Sequence, residues 1–88
     1  MSSKYKILVV EDESNIRNFI SAVLNANDYQ TLEATTCEQG ILMFASHTPD
    51  LIILDLGLPD KDGVEFIRTI RKTHTTPIIV LSARTAEE

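Results

Sequence analysis

The sequence predicts an α/β domain in which helices cover both faces of a parallel sheet. Two apolar runs have the length and composition of strands that are buried on both faces, residues 7–10 and 51–54. Amphipathic segments alternate with the apolar runs, and the connections between them are short. The predicted order along the 88 residues is strand, helix, strand, helix, strand, helix, strand, which is typical of a right-handed parallel sheet.

The first helix is predicted from apolar residues at helical spacing, with Ser14 as its N-cap. These apolar residues are Ile16, Phe19, Ile20, Val23 and Leu24. A second strand is predicted at Gln30–Ala34, with Leu32 and Ala34 facing inward.

The other two helices begin at capping signals. Thr36 and Gln39 form a capping-box pattern, and an apolar helix body follows over residues 41–45. Asp62 is the predicted cap of the third helix, which continues to about His74. The third strand is Leu51–Asp55, and residues 78–82 form a fourth strand that is apolar on both faces.

Composition excludes several classes of function. A formal net charge of −5 disfavours binding of nucleic acid or of an anionic membrane surface by this chain, because both require clustered basic residues. No apolar run is long enough to span a membrane, and the N-terminus lacks the features of a signal peptide. The single cysteine, Cys37, cannot form an internal disulfide and is expected to be a small packing residue. We therefore expect a cytoplasmic protein.

Polar side chains end three of the predicted strands. Glu11 and Asp12 follow the first strand, Asp55 closes the third and Ser82 ends the fourth. Because parallel strands share one carboxyl edge, where open α/β sheets bind ligands, these groups should converge. Three carboxylates in one pocket repel one another unless a hard cation neutralises them, and an all-oxygen site suits Mg²⁺.

Such a site fits phosphoryl transfer to a carboxylate. Asp55 would attack phosphorus and form an acyl phosphate. Asp12 and Asp55 would bind Mg²⁺ directly, Glu11 directly or through water, and the carbonyl of Gly57 would complete the protein ligands. Ser82 would donate a hydrogen bond to a phosphoryl oxygen. The alternative is that acidic residues at strand-to-helix turns only cap helices and complement the helix dipole, which could explain Asp12 or Asp62. We expect Asp60 and Asp62 to serve the turn.

Other phosphate-binding and catalytic motifs are absent from the sequence. The first strand is followed neither by a Gly-x-x-x-x-Gly-Lys loop nor by Gly-x-Gly-x-x-Gly, and no Gly-x-Ser-x-Gly elbow occurs. A flavodoxin-type cofactor site would need a hydroxyl-rich loop after the first strand. Residues 11–14 are Glu-Asp-Glu-Ser instead, and their charge would repel phosphate without a metal.

These residues resemble the receiver domain of two-component response regulators, in the family's order and spacing. The matching segments are residues 7–13, 49–60, 62–63 and 77–83, and those at 56–60 and 81–84 are most similar to the winged-helix (OmpR-type) subfamily. The resemblance implies a flavodoxin-like (CheY-like) sheet of five strands in the order 2-1-3-4-5. It also implies that Asp55 accepts a phosphoryl group from a sensor histidine kinase, that Glu11 and Asp12 hold Mg²⁺, and that Ser82 is the switch hydroxyl.

The sequence also departs from the family pattern. We expect residues 1–88 to be a single receiver domain cut short, with the start of a fourth helix at Thr85 and no fifth strand, fifth helix or family lysine. The missing elements would include the usual dimer face and a DNA-binding output domain. We therefore expect Mg²⁺ binding to survive better than phosphorylation. We also expect self-association, because the fourth strand would present an apolar edge.

Two functions follow as alternatives. The first is a phosphoryl-accepting signalling domain, which is not an enzyme acting on a separate substrate. The second is a fragment that binds metal and docks a kinase through its first helix but is not phosphorylated efficiently.

Overall fold

The computed structural model describes residues 5–60 and 62–81 of the chain. Four parallel strands lie in the order β2-β1-β3-β4: β1 is Lys6–Val10, β2 Gln30–Ala34, β3 Leu51–Asp55 and β4 Ile78–Leu81. Three helices alternate with them: α1 is Ser14–Ala26, α2 Cys37–His47 and α3 Gly63–Arg71. The predicted class and order of elements are confirmed. Ser82 and the helix start predicted at Thr85 lie outside the described residues.

One face of the sheet carries the main core. Leu8 of β1 is in register with Leu32 of β2 and Ile52 of β3, so these three side chains point to the same side. They pack with α2 and α3, and all are buried. Phe66 of this cluster is the largest side chain that is fully buried in the described part of the chain. Cys37, also fully buried, is part of the cluster, as expected for a small packing residue.

The opposite face is covered by α1, and there the structure corrects the expected apolar side of that helix. Ile20 and Leu24 are half-buried, but the apolar residues on the rest of the helix are exposed: Ile16, Phe19 and Val23. The buried residue of α1 is Ser21. The reason lies in β2, where Glu33 points to this face and binds Ser21 and Arg17. These polar contacts set the rotation of α1 on the sheet.

The start of α1 also differs from the prediction. The N-cap is Glu13, in an extended conformation, and Ser14 is the first helical residue. The chain turns one residue earlier than expected because the Glu13 N–H donates to Glu11 Oε2 at 3.0 Å. The first helical hydrogen bond then runs from the Arg17 N–H to the Glu13 carbonyl, at 2.9 Å.

The predicted caps of the other two helices are confirmed. Thr36 Oγ1 accepts from the Gln39 N–H at 3.1 Å, and Asp62 Oδ1 accepts from the Val64 N–H at 3.1 Å. The second half of the α2 capping box is displaced by one residue, because Gln39 Oε1 accepts from Thr35 rather than from Thr36. Helix α3 ends at Arg71, three residues before the predicted end.

Asp60, expected to serve its own turn, also makes hydrogen bonds to a different helix. Its two carboxylate oxygens accept the N–H groups of Cys37 and Glu38, at 2.8 and 3.0 Å. A residue of the loop after β3 therefore caps the N-terminus of α2, where unpaired N–H groups and the helix dipole favour a carboxylate.

No helix in the described part of the chain is long and apolar enough to cross a membrane. Strand β4 is less buried than an inner strand, because Ile79 is 50% and Val80 43% exposed. These two side chains point to opposite faces of the sheet.

Candidate metal centre

The strand register brings two acidic residues side by side at the carboxyl edge of the sheet. Val10 is the register partner of Leu54 in the parallel pair of β1 and β3. One residue further along each strand, Glu11 lies next to Asp55, and the two side chains point to the same face. Asp12 follows Glu11 in the turn that leads into α1. The fold itself therefore gathers acids that are 43 or 44 positions apart in sequence.

The three carboxylates form a compact cluster. Each side chain offers one carboxylate oxygen, and these three oxygens all lie within 4.8 Å of one another. Glu11 is 3% and Asp55 9% exposed, whereas Asp12 is exposed to solvent. The cluster thus has a buried floor of two acids and an open side at Asp12, through which a ligand can enter.

Backbone N–H groups orient the two buried acids. Glu11 Oε2 accepts from the Glu13 N–H at 3.0 Å, and Asp55 Oδ1 accepts from the Gly57 N–H at 3.1 Å. Each bond closes a turn of two residues at the end of a strand. The carboxylates are therefore fixed by the same turns that leave the sheet, which limits the loss of side-chain entropy when a ligand binds.

The electrostatics of the pocket are unfavourable in the absence of a cation. Burial raises the pKa of the Glu11 carboxyl above its ordinary value, and the neighbouring carboxylates of Asp55 and Asp12 add to this effect. The hydrogen bond from the Glu13 N–H acts in the opposite direction. Desolvation and like charges both penalise the ionised form of the Glu11 carboxyl. A positive charge in the pocket would offset this electrostatic penalty.

The donor set fits a hard divalent cation. The three converging side chains offer only carboxylate oxygens, with no thiolate or imidazole among them, and such donors suit Mg²⁺ rather than softer metals. The same chemistry would suit Mn²⁺. Gly57 lies two residues beyond Asp55, and its N–H already bonds the Asp55 carboxylate.

The structure therefore brings Glu11, Asp12 and Asp55 together, with Gly57 in the adjoining turn. The predicted role of Ser82 falls on a residue outside the described part of the chain. Its neighbour Leu81 is in register with Asp55, so β4 ends at the same edge as the acidic cluster.

Sequence reasoning missed Arg17 as a neighbour of the cluster. Its guanidinium donates from Nη1 to the Glu11 carbonyl at 3.0 Å, and Nε lies 3.5 Å from Glu33 Oε1. The only sequence signal was a basic residue one turn into α1. The apolar pattern of that helix pointed to a different side as the buried one.

The fold and the acidic cluster together define a parallel α/β domain with three carboxylates at the carboxyl edge of its sheet. The sequence profile of the response regulator receiver domain matches residues 7–88. The chain belongs to this family.

Among characterised proteins the chain is similar to OmpR-type transcriptional regulators. It is 52% identical to the KDP operon transcriptional regulatory protein KdpE of Escherichia coli, over 92% of the chain and 36% of that protein. It is 38% identical to the phosphate regulon transcriptional regulatory protein PhoB of the same species, over 94% of the chain and 38% of PhoB. The chain thus spans about a third of the length of these relatives.

Solved receiver domains share the fold. The BeF3-activated N-terminal receiver domain of Klebsiella pneumoniae RstA superposes with a TM-score of 0.87 at 30% identity, covering 93% of the chain and 70% of that domain. The chemotaxis response regulator CheY4 of Vibrio cholerae gives a TM-score of 0.89 at 28% identity, covering 96% and 72%. The predicted CheY-like architecture is confirmed.

Proposed function

We propose that Asp55 accepts a phosphoryl group from the phosphohistidine of a sensor histidine kinase, in a Mg²⁺-dependent reaction. The observation that carries this proposal is the convergence of three carboxylates within 4.8 Å at the carboxyl edge of the sheet. In the whole protein the phosphorylated domain would control an output domain, as the transcriptional regulators similar to this chain imply. A protein that controls transcription would lie in the cytoplasm.

The transfer is a displacement at phosphorus. An oxygen of Asp55 forms a bond to phosphorus while the bond from phosphorus to the imidazole nitrogen breaks, and the electron pair of that bond stays on nitrogen. The product is an acyl phosphate on Asp55 and a histidine that is free to be phosphorylated again. A bound Mg²⁺ would offset the negative charge on the phosphoryl oxygens and on the acids.

The other predicted residues support this step. Asp12 and Asp55 would bind the ion directly, Glu11 would bind it directly or through water, and the Gly57 carbonyl would complete the protein ligands. The hydroxyl of Ser82 would donate to a phosphoryl oxygen. Asp55 is the suitable nucleophile because it ends a central strand and its Oδ1 is already held by the Gly57 N–H, which positions the carboxylate before the phosphodonor arrives.

Intact-mass spectrometry after incubation with acetyl phosphate tests the proposal. With Mg²⁺ a fraction of the unaltered chain should gain the mass of one phosphoryl group. The gain should disappear with EDTA and in Asp55→Asn. Asp28→Asn is the matched control, because Asp28 is exposed and its φ of 67° suits asparagine equally well. Labelling of Asp55→Asn at the wild-type level would refute the assignment.

A chain that binds Mg²⁺ but gains no phosphoryl group would favour the alternative of a metal-binding, kinase-docking fragment. Calorimetric titration with Mg²⁺ separates the two cases, since it reports metal binding without requiring transfer. In either case the kinase needs a surface on which to dock.

We assign kinase docking to α1. Ile16, Phe19 and Val23 form an exposed apolar stripe at spacings of three and four residues, and Phe19 is 70% exposed. A stripe with this spacing fits against another amphipathic helix, and α1 begins directly after the acidic pair. The stripe therefore starts four residues after Asp12, and a kinase docked on it would present its phosphohistidine to the cluster.

Phe19→Ala tests this surface independently of the chemistry. Transfer from a phosphorylated histidine kinase that labels the unaltered chain should become slower. Labelling by acetyl phosphate should stay unchanged, because the small donor needs no docking surface. Leu42→Ala is the control, since Leu42 is 63% exposed on α2. Equal effects of both variants on the kinase reaction would contradict docking through α1.

A further inference from the structure

Arg17 connects the turn of the acidic cluster to the sheet. Its side chain is only 17% exposed, although it belongs to a helix whose apolar residues are largely exposed. Nη1 donates to the Glu11 carbonyl at 3.0 Å and lies 3.5 Å from the Asp12 carbonyl. Nε lies 3.5 Å from Glu33 Oε1 on β2. The guanidinium therefore contacts the backbone of two predicted metal ligands with one side and β2 with the other.

The partner of Arg17 is itself fixed. Glu33 Oε2 accepts from the hydroxyl of Ser21, the buried residue of α1. The peptide of Glu11 is held from the other side, because its N–H donates to the Ala34 carbonyl at 2.9 Å. Ala34 follows Glu33 in β2. The end of β1, the first turns of α1 and the end of β2 thus form a closed ring of polar contacts.

This ring of contacts opposes the electrostatic repulsion among the three carboxylates. Three carboxylates repel one another in the metal-free pocket, and two of them are buried. The repulsion tends to open the Glu11–Asp12 turn, which carries two of the three acids. A guanidinium with several donors in a rigid fork can hold a carbonyl and a carboxylate at the same time, which a lysine ammonium does less well.

We propose that Arg17, anchored by Glu33, is a positioning residue that holds Glu11 and Asp12 in the arrangement that binds the divalent cation. This inference deepens the proposed function and rests on it. Arg17 itself binds neither the ion nor the phosphoryl group; it acts through the backbone of the ligands.

The direction in which the Kd for Mg²⁺ changes distinguishes a positioning role of Arg17 from a purely electrostatic one. Removing a positive charge near the pocket favours a cation by Coulomb attraction, whereas loosening the turn weakens binding. We expect Arg17→Ala to raise the Kd for Mg²⁺ in calorimetric titration by about tenfold, the lower end of what losing a residue that supports a metal ligand costs. The loss should persist at high salt, where long-range electrostatics are screened.

Two further variants test the mechanism, and the first of them keeps the positive charge. Arg17→Lys keeps the positive charge but cannot hold both acceptors, so its Kd should lie between those of the unaltered chain and Arg17→Ala. Glu33→Gln releases the anchor and leaves Arg17 in place, but it also removes a negative charge, which weakens cation binding by itself. The weaker Mg²⁺ binding that we expect therefore supports positioning only if it persists at high salt, where long-range electrostatics are screened.

Two control variants test whether the loss of any positive charge, or any loss of stability, would also weaken Mg²⁺ binding. Arg68→Ala removes the same charge from an exposed pair on α3, in which Arg68 Nη1 lies 3.8 Å from Glu65. Ile70→Val lowers stability through the core, remote from the cluster, by about 0.5–1.5 kcal/mol. Neither control should raise the Kd for Mg²⁺.

An unchanged or lowered Kd in Arg17→Ala would overturn the inference while leaving the proposed function intact. If Arg17→Ala does not fold, Arg17→Lys and Glu33→Gln decide the question by the same criterion. Failure of the unaltered chain to bind Mg²⁺ would remove the proposed function, and this inference with it.

Discussion

Gly63 allows the loop after β3 to fold back onto the strand. A Cβ at this position would lie 2.5 Å from Cδ2 and 3.0 Å from Cα of Leu56. The contact with the backbone of Leu56 cannot be relieved by a change of rotamer. A side chain at the first residue of α3 would therefore require the Leu56 side chain to move and the Leu56 backbone to shift by a few tenths of an ångström.

Gly63→Ala should destabilise the domain by about 1–3 kcal/mol, the usual cost of overpacking a closely packed site. Urea unfolding followed by circular dichroism measures the change. Gly57→Ala is the control, because the nearest atom to its added Cβ is Asp55 Oδ1 at 3.8 Å. Equal losses of stability in both variants would show that the effect comes from reduced backbone freedom and not from a lack of space for the Cβ.

Glu11 should reduce the stability of the metal-free protein at neutral pH. Burial raises the pKa of its carboxyl in the folded state, so the folded protein holds the proton more tightly than the unfolded chain does. The stability that this proton provides is lost as the pH rises from the unfolded pKa through the raised folded value.

Glu11→Gln should therefore raise the melting temperature in EDTA at neutral pH, and this gain should shrink below the folded pKa. The amide keeps an oxygen for the Glu13 N–H. Thermal unfolding at several pH values measures both effects, with Asp28→Asn as the control for loss of an exposed charge. A pH-independent gain would argue against titration of Glu11 as the cause.

At the level of elements, α2 depends on a cap from outside its own segment. Asp60 uses both carboxylate oxygens, one on the Cys37 N–H and one on the Glu38 N–H. Asp62, at the start of α3, bonds the Val64 N–H through one oxygen. The two acids are two residues apart, yet they cap different helices.

This difference predicts unequal effects of the same substitution. Asp60→Asn replaces one acceptor by an amide NH₂ and should cost about 1 kcal/mol in the free energy of unfolding, as the loss of a helix cap does. Asp62→Asn keeps its single acceptor, and asparagine caps helices as well as aspartate does. Chemical denaturation of both variants checks this expectation. A similar loss in both would mean that charge, rather than hydrogen bonding, dominates.

At the level of the whole molecule, binding of Mg²⁺ should stabilise the fold, because the three ligands come together only in the folded chain. At a Mg²⁺ concentration one hundred times Kd, the gain is about 2.7 kcal/mol by linkage. Differential scanning calorimetry should show a higher melting temperature with Mg²⁺ and its return with EDTA. Asp12→Asn should abolish most of the gain, and an undiminished gain would place the ion elsewhere.

Strand β4 should also promote self-association. Ile79 and Val80 are 50% and 43% exposed on opposite faces of the sheet, and exposed apolar strands favour pairing with another chain. Light scattering of the 88-residue chain should show dimers or larger species as the concentration rises. Ile79→Lys should shift the equilibrium to monomer, whereas Leu42→Lys on α2 should not. A monomer at all concentrations would contradict this expectation.

Much of this architecture could be predicted from short segments of the sequence. The strands Gln30–Ala34 and Leu51–Asp55 have the predicted bounds, and Thr36 and Asp62 cap the helices that they were expected to cap. These features depend on short-range patterns of apolar residues and on capping chemistry, which a sequence carries directly. The prediction failed where a distant residue intervened. Glu33 of β2 sets the rotation of α1, and Asp60 caps a helix that begins 23 positions earlier.

The order of elements, the acidic residues at strand ends and the family are determined by the sequence alone, because apolar periodicity and motif spacing are local properties of the chain. Only the tertiary structure decides which oxygens meet within 4.8 Å, which side of α1 is buried, and that Arg17 holds the Glu11 carbonyl. These contacts join residues of different elements, so they depend on strand register and helix rotation. Both are set by packing across the whole sheet.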